Sequence, residues 1–158
     1  MTKTLKRRRK EAKTDYKARL ALLKSEKPRI VIRKTNKYIM AQIIKSDHAQ
    51  DKVIASATSK DLLKKGWPDN KNGSLKTLAA CYLTGSLLVK NLKDKPEEVI
   101  LDIGLSRNVH GSRIYALLKG AIDSGLNVSH KKEILPSLEK INSTNKSSIV
   151  LAKIKEGI

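Results

Sequence analysis

The side chains in this sequence that are best suited to a chemical task are cations near its start. Six of the eight residues in 3–10 are Lys or Arg, and none is acidic. Such side chains form charge-assisted hydrogen bonds to phosphates and carboxylates. Residues 1–37 hold 15 cations against three acids, a net charge of +12 out of +19 for the chain. Because this charge opposes compaction through self-repulsion, the pattern indicates a polyanionic partner.

Two later segments offer related chemistry over shorter stretches. Residues 33–38 place three cations, a hydroxyl, an amide and an aromatic ring on a tight turn between two predicted strands. Residues 106–113, which include Arg107 and Arg113, lead into a predicted helix whose free backbone amides favour anions. Phosphate and ribose are contacted by these residue types. For 33–38 the alternative is a solvated turn, and the neighbouring basic arm favours binding. For 106–113 an ordinary loop with a helix cap stays an equal alternative.

The composition discriminates between classes of partner. The chain has no Phe, one Trp and four Tyr, which argues against base-stacking platforms and for contacts to phosphates and overall shape. The basic helix predicted over 7–24 has only three Leu near its end, too short an apolar face for a membrane surface. No run approaches about 18 apolar residues, so no transmembrane helix is expected. We expect a nucleic-acid partner and no membrane, with an adaptor for acidic proteins as a further hypothesis.

Catalytic motifs are absent or weak. The three histidines are not spaced as a metal-binding pair, and neither a G-x-S-x-G elbow nor a G-x-x-x-x-G-K phosphate loop occurs. The single cysteine, Cys81, excludes an internal disulfide and a Cys-rich zinc site. The chain is therefore predicted not to be an enzyme, with no cofactor, no metal and no small-molecule substrate.

Asp102 supports the alternative function, a metal-dependent nuclease of mixed-sheet fold. It lies near the end of a predicted strand, where such an enzyme would hold its metal ion, with Asp61 and Asp123 as the available companions. A two-metal site needs several converging carboxylates, and Asp123 falls in a predicted helix. The simpler interpretation is that Asp102 caps the following loop or pairs with Arg107 or Arg113.

The first half of the chain predicts a helix and a meander. Residues 5–24 lack Gly and Pro and predict a helix that ends before Pro28. Three short runs with short polar links predict antiparallel strands. These strands are 29–33, 38–45 and 53–58, with links 34–37 and 47–51. One or two helical turns over 59–65 end at Gly66, and a loop follows over 67–73.

The second half predicts two helices around one strand. Ser74 is expected to cap a helix that ends near Asn91, and the apolar run 99–103 suits a central strand buried on both faces. After a loop, Ser112 is expected to cap an amphipathic helix that ends near Gly125. Each of the two helices also contains an internal glycine, at positions 85 and 120, which predicts close packing against a neighbour.

The element order α-β-β-β-α-β-α predicts an α/β (α+β) fold. A mixed sheet would join the three-stranded antiparallel meander to the central strand, covered by helices, with a basic N-terminal helical arm. We expect an arm over 1–27, a globular domain over 28–130 and a helical tail over 131–158. Weak helical pieces are expected within the tail, at 131–141 and 148–156.

Five of these segments, in order, carry a family resemblance. They are RRRKEAKTDY (7–16), RIVIRKTNK (29–37), YLTG (82–85), LDIGL (101–105) and GSRIYALLKGAIDSGL (111–126). With them, the chain resembles the archaeal form of universal large-subunit ribosomal protein eighteen, whose eukaryotic relative is large-subunit ribosomal protein five. The resemblance covers about residues 5–130. The long acidic C-terminal extension of halophilic relatives is missing, and the tail after residue 131 matches poorly.

The resemblance implies a structural role on the cytoplasmic ribosome. Members bind 5S rRNA and help attach it to the large subunit in the central protuberance, where large-subunit rRNA and neighbouring ribosomal proteins are further partners. Members contact RNA through the basic arm and the exposed side of the sheet region. On this chain those positions are Lys6, Arg7, Arg8, Arg9, Lys10, Lys13, Tyr16, Arg33, Lys34, Thr35, Asn36, Lys37 and Tyr38. The loop arginines Arg107 and Arg113 complete the predicted RNA-binding set.

Overall fold

A computed structural model describes residues 7–11, 13–47, 50–67 and 75–142 of the chain. Five α-helices and four strands lie within these ranges, with two short 3-10 helices. They are α1 (Arg7–Lys10), α2 (Tyr16–Lys24), β1 (Arg29–Lys34), β2 (Ile39–Asp47), β3 (Gln50–Thr58), a 3-10 helix (Ser59–Lys65), α3 (Leu78–Lys90), β4 (Ile100–Asp102), α4 (Arg113–Asp123), a 3-10 helix (Lys132–Ile134) and α5 (Leu138–Asn142). The predicted loop over 67–73 and the helical piece over 148–156 fall mostly or wholly outside the described residues.

The four strands form one mixed sheet in the order β3-β2-β1-β4. Strands β1, β2 and β3 pair antiparallel in sequence, and β4 pairs parallel with β1. The predicted α+β fold and the three-stranded meander are confirmed. The predicted link over 47–51 is too long, because Asp47 already pairs with Gln50.

The central position predicted for the fourth strand is wrong, because β4 is an edge strand. A strand that runs parallel to β1 can only lie on the side of β1 that β2 leaves free. The apolar run also alternates: Val99, Leu101 and Ile103 contribute to the core, while Ile100 and Asp102 have the opposite parity. The high proportion of apolar residues in this run therefore did not indicate a strand that is buried on both faces.

Helix α3 packs on strands β2 and β3, and α3 and α4 cross at their glycines. A Cβ atom on Gly85 would lie 2.1 Å from the Leu117 carbonyl oxygen, and one on Gly120 would lie 2.0 Å from the Tyr82 carbonyl oxygen. Both distances are far below van der Waals contact, so any larger residue would push the two backbones apart. The close packing predicted from these glycines is confirmed.

The structure corrects two predicted helices. The helix predicted over 5–24 is broken after α1, because the Asp15 carboxylate caps α2 through the backbone amides of Lys17 and Ala18. The helix predicted to follow a Ser74 cap begins only at Leu78, with the Thr77 hydroxyl accepting from a first-turn amide. Ser74 itself lies outside the described residues.

The segment after α4 returns to the same core. Ile141 is almost completely buried, and Ile134 and Leu135 pack against the core cluster. Gly125, just after the end of α4, has a φ of 95°, in the region that glycine reaches without strain. The chain thus packs against the domain as far as Ile141.

Candidate nucleic-acid interface

The basic segment forms α1 and a turn that returns towards α2. All four side chains of Arg7–Lys10 are exposed. Arg8 Nε donates to Thr14 Oγ1 at 3.0 Å, which ties the turn to the helix. Lys13 pairs with Glu11 at 2.8 Å in this exposed setting, where such pairs contribute little. The segment therefore offers its cations to solvent. Lys6 lies outside the described residues.

Helix α2 contacts the sheet through an ion pair. Its cap is Asp15, and Tyr16, the first helical residue, is half-buried. One turn later Arg19 Nη2 lies 3.2 Å from Asp51 Oδ2 at the start of β3. This contact joins the arm to the edge strand β3, although the two residues are 32 positions apart in the sequence.

A buried arginine lies beneath this contact. Arg29 on β1 is only 5% exposed. Its Nη2 is 2.7 Å from Asp51 Oδ2, and its Nη1 donates to Ser46 Oγ at 3.0 Å. Asp102 Oδ2 is 3.8 Å from its Nε on the other side. The buried guanidinium is therefore balanced by carboxylates from β3 and β4, as a buried charge requires.

The same pairing changes the acidity of Asp51. Burial acts to raise the pKa of this carboxyl group, but a hydrogen bond from Ser46, together with Arg29 and Arg19, outweighs burial. The net effect lowers the pKa below its ordinary value of 3.8. Asp51 therefore stays ionised at neutral pH and keeps both arginines in place.

Arg33 and Asp102 fix the end of β1. Arg33 Nη2 donates to Asp102 Oδ1 at 3.0 Å, and its Nη1 donates to the carbonyl oxygens of Ile32 and Asp102, both at 2.9 Å. Asp102 also accepts from the Gly104 amide at 2.8 Å. The predicted loop cap is confirmed. The predicted pairing with Arg107 or Arg113 is wrong, because the β1–β4 register places Asp102 opposite residue 31, between two arginines on one strand.

The three carboxylates of the nuclease alternative do not converge. Asp102 serves the arginines, Asp61 accepts from the Thr58 amide and hydroxyl, both at 2.8 Å, and Asp123 accepts from the Tyr82 hydroxyl at 2.8 Å. Within the described ranges no group of three His, Cys, Asp or Glu side chains could hold a metal ion. The geometry therefore gives no support to a metal-dependent nuclease centred on Asp102.

The turn between β1 and β2 is held by its own polar groups. Thr35 Oγ1 donates to the Tyr38 carbonyl oxygen at 2.7 Å and accepts from the Tyr38 amide at 3.0 Å. These bonds leave Asn36 and Lys37 exposed at the tip. Two lysines from elsewhere join the turn: Lys76 donates to the Asn36 carbonyl oxygen at 2.7 Å, and Lys60 Nζ lies 4.4 Å from the centre of the Tyr38 ring.

Two neighbouring concave surfaces connect the predicted segments. A groove between the arm and the end of β4 is lined by Arg8, Lys13, Arg19, Arg33 and Lys34, among others. A pocket beside it, which we call the α4 pocket, is lined by Lys34, Arg107 and Arg113. Since Lys34 borders both, the arm, the hairpin and the loop before α4 contribute cations to one continuous surface.

Comparisons with known proteins agree with this arrangement. The family described as "Ribosomal large subunit proteins 60S L5, and 50S L18" matches residues 2–98 and 89–131. The chain belongs to this family. It is thus a constituent of the large subunit of the cytoplasmic ribosome, and its role there is structural and not enzymatic.

Several relatives that are similar to this chain come from archaea. The chain is 48% identical over 152 residues to the large ribosomal subunit protein uL18 of Korarchaeum cryptofilum, covering 96% of this chain and 76% of the relative. It is 46% identical over 136 residues to the protein of the same name from Methanothermobacter thermautotrophicus, covering 85% and 69%. No helix in the described ranges is long and apolar enough to span a membrane.

Several cations near the groove and the hairpin were not among the residues predicted from the sequence. Arg19, Lys60 and Lys76 reach the interface only through the fold, because they are distant from the hairpin in sequence. The sequence predicts Arg29 only as part of a strand. Its spacing of four from Arg33 places both on one face of β1, and that alternation was the available signal.

Proposed function

We propose that this family member binds 5S rRNA and attaches it to the large subunit in the central protuberance. Large-subunit rRNA and neighbouring ribosomal proteins of the protuberance are its other partners. The basic arm and the hairpin act as two sides of a clamp that neutralises phosphates. Recognition then depends on the folded shape of the RNA, because sequence-specific stacking needs exposed aromatic rings that this chain largely lacks.

The observation that supports this proposal best is the shared position of Lys34. It borders the groove beneath the arm and also the α4 pocket, so three basic segments separated in sequence act on one stretch of RNA backbone. Among the residues that the structure describes, no carboxylate pairs with Lys34, Arg107 or Arg113, which leaves them available to phosphates. The choice of 5S rRNA rests on the five ordered segments of the family resemblance.

The test is capture of RNA from cells. The tagged full chain is purified from lysate, and the bound RNA is sequenced after a wash at moderate salt. The proposal predicts strong enrichment of 5S rRNA over tRNA and messenger RNA of similar abundance. Equal recovery of all RNA classes would contradict recognition of 5S rRNA, although not a general affinity for RNA.

A further inference from the structure

The α4 pocket has an apolar wall as well as its three cations. Its volume is about 520 Å³, within the range of sites for small molecules. Leu78 from α3 and Ile114 from α4 line it, together with Val109 from the preceding loop. Val109 is 54% exposed, unlike Ile114, which is almost fully buried. An apolar surface of this kind next to unpaired cations suits a ligand with one flat apolar part and one anionic part.

The start of α4 adds one hydroxyl group without a partner among the described residues. Ser112 precedes the helix, but its side chain makes no hydrogen bond to the first-turn amides. Its hydroxyl oxygen is buried, and no described residue bonds to it. Ser112 lines the same pocket as Arg113. Ser106, Ser112, Lys34 and two arginines thus line a cavity whose other lining residues are apolar, which is an arrangement suited to a phosphate ester.

We propose that the α4 pocket receives one unstacked nucleotide of the bound RNA. Its phosphate contacts Lys34, Arg107 and Arg113, and the face of its base packs on the aliphatic side chains of Leu78, Val109 and Ile114. This inference rests on the RNA-binding function proposed above and adds a base-sized subsite to it. An acidic side chain of a neighbouring protein would satisfy the cations, but it is smaller than a nucleotide and would leave the apolar wall uncovered.

The experiment is a titration of the full chain with the four nucleoside 5′-monophosphates, observed by NMR of Leu, Val and Ile methyl groups. We expect saturable shifts, at millimolar concentration, of the methyl groups of Leu78, Val109 and Ile114. Inorganic phosphate should shift amides near residue 112 and leave these methyl groups unchanged. Val109→Trp, which fills the pocket without changing charge, should weaken nucleotide binding about tenfold or more. Val53→Trp is the matched control, because Val53 is 48% exposed on β3 and does not line the pocket.

Three results would overturn the nucleotide subsite. They are an absence of methyl shifts with every nucleotide, equal methyl shifts with inorganic phosphate, and equal methyl shifts with N-acetylglutamate. If Val109→Trp unfolds the chain, the charge variant R107Q/R113Q replaces it, with the same expected tenfold loss. Titration with 5S rRNA separates the two proposals: intact 5S binding without a nucleotide effect removes only the subsite. Nucleotide binding without 5S binding removes only the proposed 5S function.

Discussion

Arg29 and Asp51 form an ion pair beneath the arm, with Nη2 and Oδ2 2.7 Å apart. The same carboxylate oxygen lies 3.2 Å from Arg19 Nη2 on α2. One acid on β3 therefore neutralises a buried arginine of the sheet and also pairs with Arg19 of α2. The arm thus contacts the sheet through an interaction in which no RNA takes part.

Asp51→Asn should destabilise the fold. The change leaves the buried Arg29 guanidinium without its closest carboxylate, and loss of one partner of a buried polar pair costs about 1–3 kcal/mol. The free energy of unfolding, measured in urea, should fall by this amount. Asp94→Asn is the control, because Asp94 is exposed and its replacement should cost less than about 0.5 kcal/mol. Equal stability of the two variants would contradict the role assigned to Asp51.

Acid should remove the same contribution from the unmodified chain. Because the pKa of Asp51 is lowered in the folded state, its contribution to stability is complete above its ordinary pKa of 3.8 and is lost as the pH falls through the lowered value. The stability difference between the unmodified chain and Asp51→Asn should therefore shrink below about pH 4. Urea unfolding at a series of pH values measures this difference. A difference that grows in acid would have the wrong sign.

The helix crossing should tolerate no side chain. Gly85→Ala and Gly120→Ala each place a methyl group against backbone of the other helix, and overpacking of this kind costs about 1–3 kcal/mol or more. Gly66→Ala is the comparison, because no atom lies within 4 Å of its added Cβ and only its φ of 93° is unfavourable. That strain costs about 1–2 kcal/mol. Thermal unfolding should rank both crossing variants below Gly66→Ala, and the reverse order would refute the crossing.

Replacing two different cations of the hairpin should have different effects, one on the stability of the fold and the other on RNA binding. Arg33 donates to three acceptors within the protein, so Arg33→Gln should lose about 1–3 kcal/mol of stability. Lys37 is exposed at the tip, so Lys37→Gln should leave stability within about 0.5 kcal/mol. It should instead make the log–log salt slope of RNA binding shallower by about one unit. Equal effects of both variants on stability would refute this distinction.

The sequence predicts the local elements because their signals are local. The short β-branched run of β1 and the 3.6-residue apolar period of α4 are complete within each segment, and both elements form where expected. The break before α2 was also within reach, because Asp15 is a favoured cap residue. The absence of Gly and Pro over 5–24 outweighed that single capping signal in the prediction of a continuous helix.

The ion pairs between different segments depend on strand register and cannot be predicted from local sequence patterns. Asp102 meets Arg29 and Arg33 because β4 lies parallel to β1 with residue 31 opposite. The distance in sequence between Asp51 and Arg19 gave no reason to connect them. The sequence therefore indicates which surface is basic, while only the fold shows which cations are held by carboxylates and which are available to RNA.

The central claim is that the arm neutralises phosphates of 5S rRNA. A variant with four arm cations replaced by Gln tests it against a variant with the same loss of charge elsewhere. The arm set is Arg7, Arg8, Arg9 and Lys10, and the control set, exposed and outside the proposed interface, is Lys64, Lys65, Lys93 and Lys132. The two variants have the same net charge, so they differ only in where the positive charge is removed.

The deciding measurement is the affinity for 5S rRNA across a series of salt concentrations. For six to ten phosphates, the log–log slope of the unmodified chain should be about −4 to −9. The arm variant should lose affinity by orders of magnitude and have a slope shallower by about three units, while the control variant keeps the slope of the unmodified chain. A slope near zero for the unmodified chain, or equal slopes for the two variants, would contradict the account.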